Sequence, residues 1–212
     1  MFPGFNITPV VKNLLILNVI MWVITTIIFP DMWIDLSIYY PETASFRPYQ
    51  IATYMFLHES GSIFHILFNM LFLVFAGSRV ESVWGPKQFL FYYLFCGVAA
   101  LILHFGMIFY QVHYQNIPLE AVEYPMLGAS GAVYGVIGAF GYMFAEDVIQ
   151  LLFPPIPIKV KYLVLLMVGG QLVNGLKGGS GGIAYLAHAS GAIFGLLLIL
   201  YWQKGGRLGK NL

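Results

Sequence analysis

Charge is what this sequence has least of. Only 9% of its 212 residues are Asp, Glu, Lys or Arg, against about 25% in an ordinary soluble domain, so a water-soluble globule is excluded. Ten basic and nine acidic residues leave a net charge of +1. No field of one sign points to nucleic acid or to an acidic partner, and neither is expected. Cysteine is nearly missing as well. Cys96 stands alone, which excludes an internal disulfide and a cysteine-based metal cluster, and it reads as a small apolar residue packed between helices. Two cofactor motifs are also lacking. His58-Glu59 is followed by Ser62 where a HExxH zinc site needs its second histidine. The glycine-rich stretch GLKGGSGG, Gly175–Gly182, has no Gly-Lys-Ser/Thr after four spacers and reads as a flexible cap, not a phosphate loop. No metal and no cofactor is expected.

Apolar length is what the sequence has. Hydrophobic residues make up 59% and mean hydropathy is +0.81. Six runs stand at or near spanning length: Val10–Phe29, Ile63–Val80, Phe89–Tyr110, Gly128–Ala145, Lys161–Asn174 and Ile183–Trp202. The first has no small-x-small cleavage site and reads as a retained span rather than a removable signal. The fifth is the shortest. Continuous runs suit helices, since only helices and closed barrels satisfy their backbone in lipid and a barrel needs alternating strands. With the N-terminus inside, the inner side holds Lys12, Arg79, Lys87, Lys159, Lys161, Lys204, Arg207 and Lys210, and the outer side only Arg47 and Lys177. That bias predicts both termini in the cytoplasm. The connection Pro30–Ser62, with Trp33 and Arg47-Pro48, is long enough to carry short helices of its own at the membrane interface. The expectation is an all-α membrane protein of six helices forming one domain over residues 1–212.

Polar groups inside the runs are few and costly, about 2.5–3.5 kcal/mol for a central charge on the insertion scale. They are His65 and Asn69 in the second run, Ser130 and Tyr134 in the fourth and His188 in the sixth, with Glu81, Glu146 and Asp147 left at ends or in loops. All three of these runs start on the outer side. His188, five residues in, lies about 7–8 Å below that edge at 1.5 Å per residue. Three separated stretches thus bring polar groups to one shallow depth. His65 and Asn69 share a helix face, as do Ser130 and Tyr134. Gly128, Gly131, Gly135 and Gly138 form a narrow stripe, and Ala184, His188, Gly191 and Gly195 another small face. Such faces let membrane helices approach closely, so docking one on the other brings Ser130 to His188. A glycine face alone more often means packing than chemistry; the joint pattern carries more weight.

These residues resemble the rhomboid family of intramembrane serine proteases. The matching pieces are GASGAVYG (Gly128–Gly135), AHASGAIFG (Ala187–Gly195) and HILFN (His65–Asn69), with Glu81 and Trp84-Gly85 after the second run. The resemblance implies Ser130 as nucleophile and His188 as general base. It implies His65, Asn69 and the Ser130 amide as oxyanion stabilisers, with Tyr134 packed beneath the imidazole. Gly128, Gly131, Gly191 and Gly195 support the arrangement. Arg47, followed by Pro48, matches the family's first-loop arginine motif only in part. The plan is similar to the minimal six-helix bacterial form. That implies a multi-pass protein of a bacterial inner membrane, its site open to the outer face, cutting single-span or polytopic membrane-protein substrates in the bilayer. With no carboxylate in the runs, a Ser-His dyad is expected rather than a triad. A catalytically inactive rhomboid-like chaperone would share the fold, and a polytopic transporter would also place polar residues in helices.

Overall fold

The computed structural model describes residues 6–150, 155–177 and 182–206. Pro9 opens α1 (Pro9–Val23), where its missing N–H is harmless, and the helix runs on through a π-helical turn, Ile24–Ile28. The first long connection holds two short helices, α2 (Met32–Leu36) and α3 (Gln50–Thr53). Helix α4 (Ile63–Phe72) passes through a second π-helical turn, Leu73–Gly77, into α5 (Ser78–Trp84). Gly85, at φ 79°, ends it in the left-handed region that favours glycine, and Pro86 opens α6 (Pro86–His113). After α7 (Ser130–Met143) come the antiparallel strands β1 (Val148–Gln150) and β2 (Pro157–Lys159), Val148 opposite Lys159. Helices α8 (Val160–Lys177) and α9 (Gly182–Lys204) follow.

All six apolar runs are therefore helical. Four stretches, Pro9–Ile28, Ile63–Trp84, Pro86–His113 and Ala184–Lys204, are long and apolar enough to cross a membrane. The fifth run is longer than expected, because α8 extends to Lys177. Apolar side chains cover the outside: Leu165 and Leu166 of α8 are 69% and 71% exposed. A surface of that kind suits hydrocarbon rather than water.

The interior is built where α6, α7 and α9 meet. Gly191 of α9 faces the Gly131 carbonyl of α7, and a methyl group on Gly191 would collide with that backbone. Gly135 lies against Cys96 and the Gly191 carbonyl, and Gly195 against Cys96 and the Tyr92 hydroxyl. Polar groups at this seam are spent on carbonyls. The Tyr92 hydroxyl donates to the Gly135 oxygen at 2.9 Å, and Ser190 Oγ donates to the Ala99 oxygen at 2.7 Å. These bonds join α6 to both partners.

Two expectations need correction. Gly128 is not part of the helical stripe: α7 begins at Ser130, and Gly128, at φ 131°, lies in the turn before it. Glu81 does not sit at a helix end: the second run continues to Trp84 and carries Glu81 inside, 2% exposed. Its carboxylate accepts from Thr8 Oγ at 2.5 Å and from the Val10 and Val11 amides at 3.0 and 2.9 Å. Three donors at the positive end of α1 make that burial tolerable. The sequence leaves the role of Arg47 open. Its guanidinium bonds only the nearby Ala44 and Phe46 carbonyls at the surface. Buried Gln50 does the tying: Oε1 accepts from the Arg47 amide, and Nε2 donates to the Asp35 and Ser45 carbonyls. Of the glycine-rich cap, residues 178–181 lie outside the described residues, as do Arg207 and Lys210.

Candidate active site

The site is assembled at the opening of α7. Ile38 and Met126 exchange backbone hydrogen bonds at 2.9 Å each, fastening the first long connection to the segment that leads into α7. Two residues on, the Gly128 amide donates to the Tyr54 carbonyl at 2.9 Å. Tyr54 is itself fixed by its hydroxyl, which donates to the Gly97 oxygen of α6 at 2.5 Å. Gly128 then turns the chain at positive φ and delivers Ser130 as the first residue of the helix. The Ser130 and Gly131 amides belong to the opening turn, whose N–H groups have no carbonyl one turn earlier. With the helix dipole, such a turn favours negative charge.

Ser130 Oγ lies 2.7 Å from Nε2 of His188, across the seam between α7 and α9. Tyr134, one turn below Ser130, stacks its ring on the imidazole, with centroids 4.7 Å apart and planes 8° from parallel. The sequence pattern led to these three residues. It did not lead to Gln171 of α8. Its Oε1 is 2.8 Å from His188 Nδ1, and its Nε2 donates to the Tyr134 hydroxyl at 2.8 Å. Gln171 is a polar amide in an apolar run, the same signal that singled out His65, but it fell in the segment hardest to recognise as a helix.

His65 comes to the same place from α4, with Asn69 one turn on along that helix. The His65 ring lies 3.4 Å from where a Gly128 Cβ would be, and Ser130 Oγ is equally close to that point. A methyl group at Gly128 would sit in van der Waals contact with both. The Glu59 amide donates to His65 Nδ1 at 3.2 Å, which leaves the neutral ring's proton on Nε2. Asn69 Nδ2 donates to the His65 carbonyl at 2.8 Å, one turn back along α4. His58 packs edge-on against His65 at 5.3 Å between ring centroids. It is 2% exposed, and neither ring nitrogen has a hydrogen-bond partner among the described residues. Burial, and then the neighbouring His65, push His58 down to about 3. A cavity of about 20 Å³ opens beside Ser130, lined by Ala100, Gly131 and Ala187 among others. No cluster of three or more His, Cys, Asp or Glu is placed to hold a metal ion among the described residues.

A serine hydroxyl bonded to an imidazole can lose its proton as it attacks a carbonyl carbon, provided donors stand ready for the oxygen. Comparison with known proteins bears on that possibility. The Rhomboid domain family model matches residues 45–204. Rhomboid protein 1, mitochondrial, of Saccharomyces cerevisiae is 29% identical over 150 residues, 70% of this chain and 40% of that protein. Rhomboid protease AarA of Providencia stuartii is 28% identical over 151 residues, 68% of this chain and 52% of its own length. Rhomboid-like protease 3 of Toxoplasma gondii is 23% identical over 210 residues, 96% of this chain and 73% of that protein. The chain thus spans about half or less of the first two relatives. The match takes in every helix from α4 to α9, and with it the whole seam on which Ser130 and His188 meet: the chain belongs to the rhomboid family and is an integral membrane protein.

Proposed function

We propose that this chain is an intramembrane serine protease, with Ser130 as nucleophile and His188 as general base. The observation that carries the reading is the 2.7 Å contact between Ser130 Oγ and His188 Nε2. As Ser130 Oγ attacks the scissile carbonyl carbon, His188 Nε2 takes the hydroxyl proton. The tetrahedral oxyanion collapses, the C–N bond breaks and the imidazolium proton passes to the leaving amine. A water molecule then gives its proton to His188 and attacks the acyl ester, releasing the acid and restoring Ser130. The Ser130 amide, His65 Nε2–H and the Asn69 amide are the oxyanion donors. One such donor is typically worth about 10²–10³ in rate.

The substrates are single-span or polytopic membrane proteins, cut in or near their transmembrane segments. The small cavity beside Ser130 supports a small residue before the scissile bond, since about 20 Å³ has room for little more than one water or a methyl group. Six spans, both termini in the cytoplasm and a site open to the outer face of a bacterial inner membrane complete the proposal. The distribution of basic residues supports that orientation. The test is labelling of the purified, folded protein with a fluorophosphonate: wild type labels at Ser130, and His188→Ala does not. Absence of wild-type labelling, together with absence of cleavage of a single-span substrate, rejects the proposal.

A further inference from the structure

We infer that Gln171 is a positioning residue that fixes the tautomer and the orientation of His188. The inference rests on the reading of Ser130 and His188 as the reacting pair. A neutral imidazole carries one proton on either of two nitrogens, and only the form protonated at Nδ1 has a bare Nε2 able to accept from Ser130. Something must select that form. In soluble serine hydrolases a carboxylate does so. A carboxylate buried here would carry a large desolvation cost. Glu81, the one buried carboxylate among the described residues, is occupied at the opening of α1.

Gln171 performs this task with a neutral group. Its Oε1, 2.8 Å from His188 Nδ1, can only accept, so Nδ1 carries the proton. An amide could in principle turn over and present N–H to Nδ1 instead, which would leave Nε2 protonated and useless as a base. The structure holds the first arrangement, with Oε1 toward Nδ1 and the other end of the amide engaged as well, Nε2 donating to the Tyr134 hydroxyl at 2.8 Å. Tyr134 is held in turn by its stacking on His188. The three side chains close a loop: Tyr134 sets the plane of the imidazole and anchors the amide, and the amide sets the proton. They come from α7, α8 and α9, so the base is oriented by all three helices together.

The test compares Gln171→Leu and Gln171→Glu with wild type in cleavage of a single-span substrate in proteoliposomes. Gln171→Leu keeps the volume and loses the acceptor. It should lower kcat by about tenfold or more while leaving KM within about twofold. Gln171→Glu keeps an acceptor facing Nδ1, and the Tyr134 hydroxyl can donate to its second oxygen. It should restore most of kcat and move the acid limb of the pH profile to higher pH, because a carboxylate favours the imidazolium. Nitrogen-15 spectra of labelled histidine should show the Nδ1-protonated form of His188 in wild type and a mixture in Gln171→Leu. Unchanged kcat in Gln171→Leu overturns the inference. So does a parallel fall of kcat and thermal midpoint in both variants, which marks a purely structural role. Wild type that labels with fluorophosphonate while Gln171→Leu matches its kcat removes only the role of Gln171. Wild type that neither labels nor cleaves removes the reacting pair and Gln171's role with it.

Discussion

Ser130 Oγ and His188 Nε2 stand 2.7 Å apart on two helices whose backbones touch close by, at Gly131, the next residue, and Gly191, three residues on. Neither side chain reaches across a gap. Ser130→Ala removes one oxygen from a helix start and leaves the seam intact. Cleavage of a single-span substrate should be abolished while the thermal midpoint stays within a few degrees of wild type. Measurable turnover by that variant would transfer the nucleophile's role to another group.

Gly191→Ala tests the seam itself. The added methyl group would fall on the Gly131 carbonyl, which is backbone and cannot turn aside. Overpacking of this kind costs about 1–3 kcal/mol. The helices must separate, and Ser130 and His188 move apart with them. The expected result is a lower thermal midpoint together with a loss of turnover larger than the loss of folded protein explains. Normal turnover would show that the contact between the two hydroxyl- and imidazole-bearing turns tolerates a wider spacing.

Glu81→Ala separates stability from chemistry. Three donors, the Thr8 hydroxyl and the Val10 and Val11 amides, lose their acceptor. The cost should be about 2 kcal/mol or more, within the range for charge-assisted bonds and helix caps. Detergent-solubilised protein should unfold at lower temperature, and α1 should become more open to proteolysis. The fraction still folded should label with fluorophosphonate as wild type does. A selective loss of labelling would tie α1 to the reaction.

His58 predicts a pH dependence of stability. Its folded value is held near 3 by burial and then by His65, below the 6.5 of a free histidine. The unfolded chain therefore binds this proton more readily than the fold does. The contribution of His58 is fully present above pH 6.5 and falls away as the pH drops from 6.5 toward 3. The slope is about 1.4 kcal/mol per pH unit inside that window. His58→Gln should flatten the curve between those limits, read as chemical-denaturation midpoints at successive pH values. Superimposable curves for the two proteins would contradict the assignment.

Much of this is legible in the sequence alone, for identifiable reasons. Apolar runs announce helices because lipid allows their backbones few other solutions. Glycines repeating every three or four residues announce a close helix contact, which brought Ser130 to His188 without a loop to guess at. What escaped was whatever depended on a partner far away in sequence. Glu81 looked like a helix terminus because its three donors lie some 70 residues earlier. Gln171 looked unremarkable because the atoms it serves, Nδ1 of His188 and the hydroxyl of Tyr134, sit on other helices. Gly128 looked like one more seam glycine, whereas it turns the chain at positive φ with its N–H hydrogen-bonded to the Tyr54 carbonyl. Arg47 matches the family's first-loop motif only in part, and Gln50, uncharged and three residues on, holds the connection.

The Gly131–Gly191 contact has one more consequence. Where two backbones meet with no side chain between them, separation is set by the van der Waals radii of the main chain, which do not vary with rotamer or with local fluctuation of neighbouring residues. The seam acts as a fixed gauge block. A slip of one residue along either helix would bring Ala132 or Ala192 to the contact in place of a glycine and jam it. Register and spacing are therefore specified together, in a solvent that offers the bundle no hydrophobic drive to find them otherwise.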